Sequence, residues 1–317
     1  MKKLAIVGAS GLVGQTVLKV LKEEDLIDCF ELYMLSSNRS AGKVLVFNEK
    51  HYKIIELCDE VLNIGFDYAI LVAGEDVSLA WVRKFAEKGT IVIDNSSAFR
   101  MACDVPLVVP EINFSEIKKE DRIIANPNCS TIQLVLVLER FKKVANIETV
   151  VVSSYQSVSG AGKDALLDLE NDTKFVFERG IKDNIIAKIG SISENLNCSE
   201  ENKIILETNK ILKSDINIIA TTVRVPIKHC HGESVYVKFS TSVAFDDLKK
   251  AILCDYIKLS DDIFYPKECV NTNITYVSRL RKHSENEIVF FVIADNLRRG
   301  AAFNAVEILK KLDNTKF

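Results

Sequence analysis

A glycine-rich turn near the start of the chain constrains the fold more than any other feature. The apolar run at residues 4–7 predicts a buried strand, and the G-x-x-G-x-x-G pattern of Gly8, Gly11 and Gly14 follows it directly. Residues 15–24 then carry apolar side chains at helical spacing. Glycines allow a tight turn from strand to helix and leave the helix N-terminus open to a pyrophosphate. This order predicts a dinucleotide-binding βα unit, and a plain tight βα turn is the alternative.

The end of the second predicted strand indicates which dinucleotide suits this turn. Residues 30–35 read as a strand, and Ser36, Arg39 and Ser40 follow without an acidic side chain. An acid at this place binds the ribose 2′-hydroxyl of NAD, whereas hydroxyls and a guanidinium suit the 2′-phosphate of NADP. We therefore predict NADP, with a polar surface loop as the alternative.

Strands and helices alternate through the first 130 residues. Further strands are predicted at residues 43–47, 53–57, 68–72 and 90–93, with a helix at about 77–88. Such alternation predicts a mostly parallel sheet covered by helices on both faces. Ligands bind at the carboxyl edge of such a sheet, where Arg100 follows a predicted strand and could hold an anion.

Longer strands and amphipathic helices make up the rest of the chain. The helices are predicted at residues 131–141, 163–179, 203–212, 246–257 and 297–312, and the strands at 148–157, 216–225, 233–243, 274–280 and 287–295. Residues 180–202 are polar and weakly patterned, so we expect an excursion from the domain body there. No Pro/Gly-rich linker is present, which predicts a tight domain crossing near residue 130.

Cys129 stands at the predicted start of a helix, after a strand-like run and the sequence Asn126-Pro127-Asn128. Unpaired N–H groups and the helix dipole favour negative charge there, which lowers a thiol pKa below its free value of about 8.5. A nucleophile is one interpretation of this cysteine. The other is a buried cysteine beside a helix cap supplied by Asn128 or Ser130.

A histidine base for this thiol has to be one of His51, His229, His231 and His283. His231 lies seven positions after Arg224, with Pro226 between them, so a bend is needed if both serve one site. The run from His229 to His231 contains zinc-ligand types, but adjacent strand residues point to opposite faces and no further ligand is near. We therefore predict no metal site.

Composition narrows the classes of partner and compartment. A formal net charge of −3 without a basic run argues against nucleic acid. No apolar run approaches the roughly 18 residues of a membrane helix, and the apolar start breaks at Gly8, too early for a signal peptide. The eight cysteines show no C-x-x-C pair and no framework spacing, so we predict reduced thiols in a cytoplasmic protein.

Eight separated motifs, taken in order, resemble the NADP-dependent bacterial type of aspartate-semialdehyde dehydrogenase. They are residues 8–14, 36–42, 94–100, 124–131, 154–162, 207–212, 224–231 and 295–302. The resemblance implies an α/β fold with a Rossmann-like NADP-binding domain, residues 1–130 with 297–317. It also implies an α+β catalytic and dimerisation domain, residues 131–296, through which a homodimer forms.

The same resemblance implies roles for individual residues. Cys129 matches the nucleophile, His231 the acid/base catalyst and Gln156 the residue that orients the substrate. Arg224 matches the clamp on the substrate carboxylate, and Glu207 matches the group that meets its amino group. The implied phosphate ligands are Arg100, Asn128 and Lys210, and the implied cofactor contacts are Gly8, Ser10, Gly11, Leu12, Val13, Gly14, Ser36, Arg39, Ser40, Ser159, Gly160 and Asn296.

The implied reaction is the reversible, NADPH-dependent conversion of L-aspartyl 4-phosphate to L-aspartate 4-semialdehyde through a thioester on Cys129, in lysine, threonine and methionine biosynthesis. Backbone N–H groups at the start of the Cys129 helix are expected to stabilise the oxyanion. N-acetyl-glutamyl-phosphate reductase, which shares the thioester chemistry, is the alternative enzyme. An inactive NADP-binding sensor is the alternative from another class, and the joint presence of Cys129, Gln156, Arg224 and His231 argues against it.

Overall fold

The structure is a computed structural model that describes residues 1–315, and its backbone separates into two compact units. The first unit comprises Met1–Pro127 and the chain from Ala301 onwards, and the second comprises Asn128–Gly300. The borders expected from the sequence, near residues 130 and 297, lie within a few residues of these positions. Residues 316 and 317, the end of the expected first domain, lie outside the described part of the chain.

The described residues form strands and helices that alternate along most of the chain. Strands β1–β14 are, in order, Lys2–Val7, Phe30–Ser36, Val44–Phe47, Lys50–Lys53, Ile55–Glu56, Tyr68–Leu71, Ile91–Asp94, Ile123–Ala125, Ile147–Gln156, Asn217–Arg224, His231–Phe239, Ile257–Ser260, Thr275–Ser284 and Glu287–Ala294. Helices α1–α9 are Leu12–Glu23, Glu75–Glu87, Pro110–Asn113, Cys129–Lys142, Lys163–Asn171, Ser199–Leu212, Phe245–Ala251, Pro266–Cys269 and Phe303–Asn314. A π-helical turn, Arg298–Ala302, precedes α9, so the helix predicted from residue 297 begins in a wider turn.

A six-stranded sheet in the order β5-β2-β1-β6-β7-β8 forms the centre of the first unit. All of its strand pairs are parallel, which confirms the predicted sheet type. Strand β1 pairs with β2 on one side and β6 on the other, so its last four residues are buried and apolar throughout. Helices α1 and α9 pack together in the core of this unit through side chains such as Leu18 and Leu309.

Two predicted strands of the first unit are placed differently from the expectation. Strands β3 and β4 form a separate antiparallel hairpin, turned by Asn48 and Glu49 at φ 48° and 62°. The single strand predicted at residues 53–57 is divided, and only Ile55–Glu56 pairs with β2. Periodicity identifies extended segments but carries no information about the partner of an exposed strand, which explains the error.

The second unit contains a mixed six-stranded sheet in the order β10-β9-β11-β14-β13-β12. The β9–β10 and β12–β13 pairs are parallel, and the three pairs between them are antiparallel. Helix α4 covers one face, and ten of its fourteen residues are buried. Phe141 near its end packs edge-on against Phe239 and Phe290 of the sheet. The start of α4 is thereby held over the same face.

Helix α5 is shorter than the helix predicted at residues 163–179. It ends at Asn171, and Asp172 follows with φ 55°. The Asp168 carboxylate accepts hydrogen bonds from the backbone N–H groups of residues 175–177, which draws this segment out of helical geometry. Residues 172–198 form neither a helix nor a named strand. This irregular segment includes most of residues 180–202, where the sequence predicted an excursion. No helix among residues 1–315 is both long and apolar enough to cross a membrane.

Candidate active site

Cys129 is the first residue of α4, and Asn128 is its N-cap. The Asn128 Oδ1 accepts from the backbone N–H groups of Ser130 at 2.9 Å and Thr131 at 3.3 Å. Of the two caps considered from the sequence, Asn128 is therefore the one in place. These two N–H groups are occupied by the cap, which removes them as the oxyanion donors expected from the sequence. A Cβ at Gly300 would lie 2.8 Å from the Cys129 Cβ, so only glycine fits beside the thiol.

Two glutamates of α6 hold Asn128 from the other side. The Asn128 backbone N–H donates to Glu207 Oε2 at 2.7 Å, and its Nδ2 donates to Glu200 Oε1 at 2.9 Å. Burial by itself would raise the pKa of Glu200, but Lys203, Asn128 and Arg224 together hold that pKa below its usual value. The sequence predicted that Asn128 binds phosphate and that Glu207 binds an amine. In the structure these two residues are hydrogen-bonded to each other.

Three predicted residues form one row across the second sheet. Gln156 is opposite Arg224 in the parallel β9–β10 pair and opposite His231 in the antiparallel β9–β11 pair. Residues opposite each other on adjacent strands share a face, so the three side chains lie side by side. All three are at least 95% buried. The bend that the sequence required between Arg224 and His231 is the segment between β10 and β11, where Cys230 has φ 70°.

His231 is held as a neutral ring with a defined tautomer. Its Nδ1 accepts from the Ser157 backbone N–H at 3.0 Å, which assigns the proton to Nε2. Burial, and then the charge of Arg224, lowers its pKa to about 3. The Nε2 atom is buried and meets no hydrogen-bond partner among the described residues. The ring therefore presents an N–H donor.

Gly160 lies beside the charged Arg224 and the neutral His231 of this row. A Cβ at Gly160 would lie 3.1 Å from Arg224 Nη1 and 3.1 Å from His231 Nε2. The Arg224 Nη1 donates to the Ser157 carbonyl at 2.6 Å. Arg224 and His231 therefore meet at one place, and the missing side chain of Gly160 keeps that place open.

Asn296 organises the loop that carries the other predicted cofactor contacts of this unit. Its Oδ1 accepts from Ser157 Oγ at 3.1 Å and from the Cys230 N–H at 3.0 Å. Its Nδ2 donates to Ser159 Oγ at 3.0 Å. Asn296 thus ties the Ser157–Gly160 segment to the residue that precedes His231, and supports the histidine through Ser157.

Lys210 and Arg100, two predicted phosphate ligands, are placed as follows. Lys210 is half-buried on α6, three positions after Glu207 and hence on the same helix face. Arg100 belongs to the first unit, where its Nε donates to the Asn126 carbonyl and its Nη2 to the Asn95 carbonyl. The second unit thus contains Cys129 on α4, Glu207 on α6 and the three sheet residues Gln156, Arg224 and His231, whereas Arg100 belongs to the first unit.

The predicted dinucleotide turn of the first unit is crowded. Gly8 has φ +91°, and a Cβ at Gly14 would lie 2.4 Å from the Gly8 carbonyl oxygen, so both positions require glycine. Gly11 caps α1 without a side-chain hydrogen bond, and Ser10, Leu12 and Val13 are half-buried around it. The first backbone N–H groups of α1 therefore receive no side-chain cap, as anion binding at a helix start requires.

A cavity of about 340 Å³ adjoins this turn and is lined in part by Gly8, Ser36, Asn38 and Trp81. Its size suits a part of a dinucleotide. Strand β2 ends at the buried Ser36, Arg39 is exposed and Ser40 is half-buried. The residues present thus fit a nicotinamide dinucleotide at the turn.

The run from His229 to His231 has a structural arrangement of its own. Cys230 is buried in a small apolar cluster, and burial raises the pKa of its thiol. His231 points its ring at Ser157 and Gly160, as described above. No group of three or more His, Cys, Asp or Glu side chains within residues 1–315 is arranged to hold a metal ion.

The sequence did not single out Glu200 or Ser157, which both contact predicted site residues. Glu200 lies seven positions before Glu207, a spacing that puts both on one face of α6 and was visible in the sequence. Ser157 gave no such signal, because its backbone contact with His231 depends on the cross-strand register of β9 and β11.

The comparisons with known proteins agree with this geometry. Residues 3–120 match the family model for the NAD binding domain of semialdehyde dehydrogenases, and residues 140–299 match the model for their dimerisation domain. The aspartate-semialdehyde dehydrogenase of Aquifex aeolicus is 41% identical over 98% of this chain and 97% of its own length. The enzyme of Bacillus subtilis is 38% identical over 98% of both chains.

Solved structures give the same result. The aspartate semialdehyde dehydrogenase II of Vibrio cholerae complexed with ASA has a TM-score of 0.93 and 34% identity, covering 100% of this chain and 99% of its own. The Candida albicans enzyme with NADP has a TM-score of 0.80 and 25% identity, over 99% and 98% of the two chains. These matches support a nicotinamide cofactor and confirm both the predicted fold class and the resemblance drawn from the motifs. The chain belongs to the aspartate-semialdehyde dehydrogenase family.

Proposed function

We propose that the chain catalyses the reversible, NADPH-dependent reductive dephosphorylation of L-aspartyl 4-phosphate to L-aspartate 4-semialdehyde, in the biosynthesis of lysine, threonine and methionine. The observation that carries this proposal is the row of Arg224, Gln156 and His231 in the unit that begins with Asn128 and Cys129. A guanidinium, an amide and an imidazole side by side supply the groups that an amino-acid acyl derivative needs beside a thiol nucleophile.

Cys129 is the nucleophile in this proposal. Its thiolate attacks the acyl carbon of aspartyl phosphate, phosphate leaves, and a thioester forms. The charge of Arg224 and the thiolate attract each other, as the effect of Cys129 on the pKa of Arg224 indicates. NADPH, when bound, supplies the hydride that reduces the acyl group to the aldehyde.

Arg224 is proposed to bind the substrate carboxylate. Burial lowers its pKa most, while Glu200 and Cys129 act in the opposite direction, so a desolvated cation faces the site. One nitrogen, Nη1, is fixed by the Ser157 carbonyl, which orients the guanidinium plane. A carboxylate there would gain a charge-assisted and bidentate contact that a lysine could not supply.

His231 is proposed to stabilise the oxygen that becomes negative in the tetrahedral intermediate by a hydrogen bond from its Nε2 N–H. The neutral tautomer fixed by Ser157 supports this role, since the ring already carries the proton on the side that faces Gly160. A substrate carboxylate on Arg224 would offset part of the field that lowers the pKa of His231, and so make it easier for the ring to gain the second proton that it needs to act as a general acid.

Glu207 is proposed to bind the substrate amino group, and Gln156 to orient the acyl group beside Cys129. Glu207 is buried, and its second oxygen is held by the Asn128 N–H, which fixes the carboxylate plane. Arg100, Lys210 and Asn128 are proposed for phosphate, because two cations and an amide suit one anion. The hydrogen bonds of Asn128 to Glu200 and to the α4 start make it the least available of the three.

NADP is proposed over NAD as the cofactor, with Ser36, Arg39 and Ser40 around the 2′-phosphate and Gly8–Gly14 around the pyrophosphate. The absence of an acidic residue at the end of β2 supports this preference. Ser159, Gly160 and Asn296 are proposed as further contacts.

A homodimer is proposed through the second unit. The match of residues 140–299 to a dimerisation-domain model supports it. The outer face of β9 and β10 also exposes Val151, Tyr155 and Ile219, an apolar set typical of an interface. A cytoplasmic location is proposed because none of the eight cysteines, all within residues 1–315, forms a disulfide, which fits a reducing compartment.

Side-by-side kinetics test the proposed function. The purified protein is assayed with L-aspartyl 4-phosphate and with N-acetyl-glutamyl phosphate, each with NADPH and with NADH. We expect oxidation of NADPH with aspartyl phosphate and a kcat/KM at least about 100-fold lower with the N-acetylated substrate, because Glu207 would lose its ammonium partner. Equal or better use of the N-acetylated substrate would contradict the proposal.

A further inference from the structure

A second buried acidic side chain lies on the same strand as His231. Glu233 is two positions further along β11, so both side chains lie on the face that α4 covers. Its neighbours in the sheet are Ser154 of β9 and Val292 of β14. The Glu233 side chain is 0% exposed. A carboxyl group is therefore built into the floor of the site, beside its acid/base residue.

The first turn of α4 lies against this carboxyl group. Ser130 and Gln133, one helical turn apart, are the two side chains whose hydrogen-bonding groups act on Glu233. Ser130 directly follows Cys129 in the chain. At its other end, α4 is anchored by Phe141 on Phe239 of the same strand. The contact at Glu233 is thus the polar end of one helix–strand interface, and it is the end that carries the thiol.

The charges around Glu233 differ from those around Glu200. Glu200 is also buried, yet Lys203, Asn128 and Arg224 lower its pKa. For Glu233, burial raises the pKa to about 8, and only the neutral side chains of Gln133 and Ser130 act against it. A buried carboxyl without a facing cation keeps its proton.

The titratable groups of the surrounding elements agree with this difference. Strands β9 and β14 contribute no titratable side chain to the rows next to Glu233 and His231, where Ser154, Gln156, Val292 and Ala294 stand. The titratable or charged groups of this site include Cys129 on α4, His231 on β11, Arg224 on β10, and Glu200, Lys203, Glu207 and Lys210 on α6. His231 is itself neutral, and burial is what raises the pKa of Glu233.

Hydrogen-bonding capacity also matches a neutral acid. Both carboxyl oxygens of Glu233, the Ser130 hydroxyl and the Gln133 Nε2 are buried without a completed hydrogen bond in the described chain. A protonated carboxyl offers one donor and one acceptor. Gln133 Nε2 can donate to its carbonyl oxygen, and Ser130 Oγ can accept its proton. Small side-chain rotations would complete both bonds and remove four unpaired groups at once.

We propose that Glu233 is a positioning residue: as a neutral acid it ties the first turn of α4 to β11 and so sets the position of Cys129 relative to His231. The proposal rests on the proposed function only for the identity of the reaction, since the geometry of thiol and imidazole is measurable without substrate. Ionisation of Glu233 would bury a charge against the first turn of α4 at the desolvation cost that raises its pKa, and the turn would have to move to admit a compensating group.

Two variants separate a positioning role from a merely structural one. Glu233→Gln keeps a neutral side chain with an acceptor oxygen and a donor NH2 group, whereas Glu233→Leu keeps a similar volume and removes both. Both variants are expected to fold, because Glu233→Gln can keep both hydrogen bonds and Glu233→Leu removes a carboxyl group whose burial is itself unfavourable. Ser278→Ala is the matched control. Ser278 lies on the opposite face of the same sheet, and its buried hydroxyl has no hydrogen-bond partner among the described residues.

The measurement is the rate of Cys129 alkylation by iodoacetamide from pH 6 to pH 10, read by peptide mass spectrometry, with thermal midpoints recorded in parallel. We expect the parent protein to show a change in alkylation rate near pH 8 in addition to the titration of the thiol. Glu233→Gln should lose this change and retain the rate at pH 7. Glu233→Leu should alter the rate at pH 7 by about tenfold, and Ser278→Ala should match the parent.

Steady-state assays complete the test. Glu233→Leu is expected to lower kcat by about tenfold with little change in the KM for NADPH, and Glu233→Gln to restore kcat. Parent-like alkylation and kcat in Glu233→Leu would overturn the proposal, as would a loss in Glu233→Gln equal to that in Glu233→Leu. If the parent protein turns over no aspartyl phosphate, the proposed function fails while the alkylation profile still decides the role of Glu233.

Discussion

The starts of helices α1 and α4 use the same local design for different purposes. Each helix follows a strand of the parallel sheet in the sequence, and each begins at a residue with extended backbone. At α1 the cap is Gly11, which offers no side-chain oxygen, so the first N–H groups remain available to an anionic ligand. At α4 the Asn128 side chain takes the N–H groups of Ser130 and Thr131. An uncapped start suits a phosphate, and a capped start presents the side chain of its first residue, Cys129.

The residues that surround the two helix starts also differ. At α1, glycines at positions 8 and 14 let backbone approach backbone, since a Cβ at Gly14 would collide with the Gly8 carbonyl. At α4, residues from other elements make the contacts. Glu207 and Glu200 bind Asn128, and Gly300 packs so closely on Cys129 that a side chain would not fit between them. The first start is made by local sequence, and the second is made by tertiary contacts.

The largest effect is expected from Cys129→Ser. A serine hydroxyl at this position is not ionised near neutral pH, so turnover should fall by about 10⁴-fold or more. Binding of NADPH, followed by fluorescence titration, should remain within about threefold of the parent. Cys103→Ser, at an exposed cysteine, serves as the control and should retain full activity. Near-normal turnover of Cys129→Ser would remove the chemical role assigned to the α4 start.

A smaller effect is expected at the α1 start from Gly14→Ala. The new methyl group would lie 2.4 Å from the Gly8 oxygen and 2.7 Å from the Ala9 Cα, so the turn must move. We expect the Kd for NADPH to rise by at least about tenfold, because the N–H groups lose their alignment. Gly74→Ala, at a helix start with no heavy atom within 4 Å of the new Cβ, should bind NADPH normally. Equal Kd values for NADPH in the two variants would show that the Gly8–Gly14 turn does not bind the cofactor.

Removing the cap of α4 tests whether the two starts really differ. Asn128→Ala loses the bonds to Ser130 and Thr131 and the bond to Glu200, and should lower the free energy of unfolding by about 2 kcal/mol. Asn128→Ser can still cap the helix and should lose about half as much. Urea unfolding followed by circular dichroism gives both values. If the alanine variant is as stable as the parent, the cap contributes nothing to the α4 start.

The last effect, which is small near neutral pH, concerns the neutral histidine of the second unit. Burial and Arg224 lower the pKa of His231 to about 3, whereas in the unfolded chain it is about 6.5. The folded chain therefore binds fewer protons in this window, and stability is lost as the pH falls from 6.5 towards 3. The loss is at most about 1.4 kcal/mol per pH unit. The free energy of unfolding of His231→Gln should be flatter than that of the parent between pH 7 and pH 5. His51→Gln, at an exposed histidine, should follow the parent.

The difference between the two starts also explains what could be predicted from the sequence. The α1 turn was readable because strand, glycines and helix are adjacent in the chain, and the Asn128 cap was readable for the same reason. The early end of α5 was not, because it depends on Asp168 capturing backbone N–H groups seven to nine positions later. The pairing of β3 with β4 was missed because periodicity does not name a partner strand.

The protonation states of His231 and Glu233 could not be predicted from the sequence, for a physical reason. His231 and Glu233 are two positions apart in the chain, and their pKa values move in opposite directions. Burial disfavours the charged form of both, which lowers the pKa of a base and raises that of an acid. The extent also depends on Arg224 for His231 and on Gln133 and Ser130 for Glu233, and these side chains meet strand β11 only in the folded chain.

Trapping the acyl group on the α4 start tests the central claim most directly. The protein is mixed with aspartate semialdehyde and NADP⁺ without phosphate, quenched in acid and digested for peptide mass spectrometry. We expect an aspartyl thioester on Cys129 that disappears when phosphate is added before the quench, with release of aspartyl phosphate. An unmodified Cys129 under these conditions, or an adduct on another residue that phosphate discharges, would contradict the assignment of Cys129 as the nucleophile.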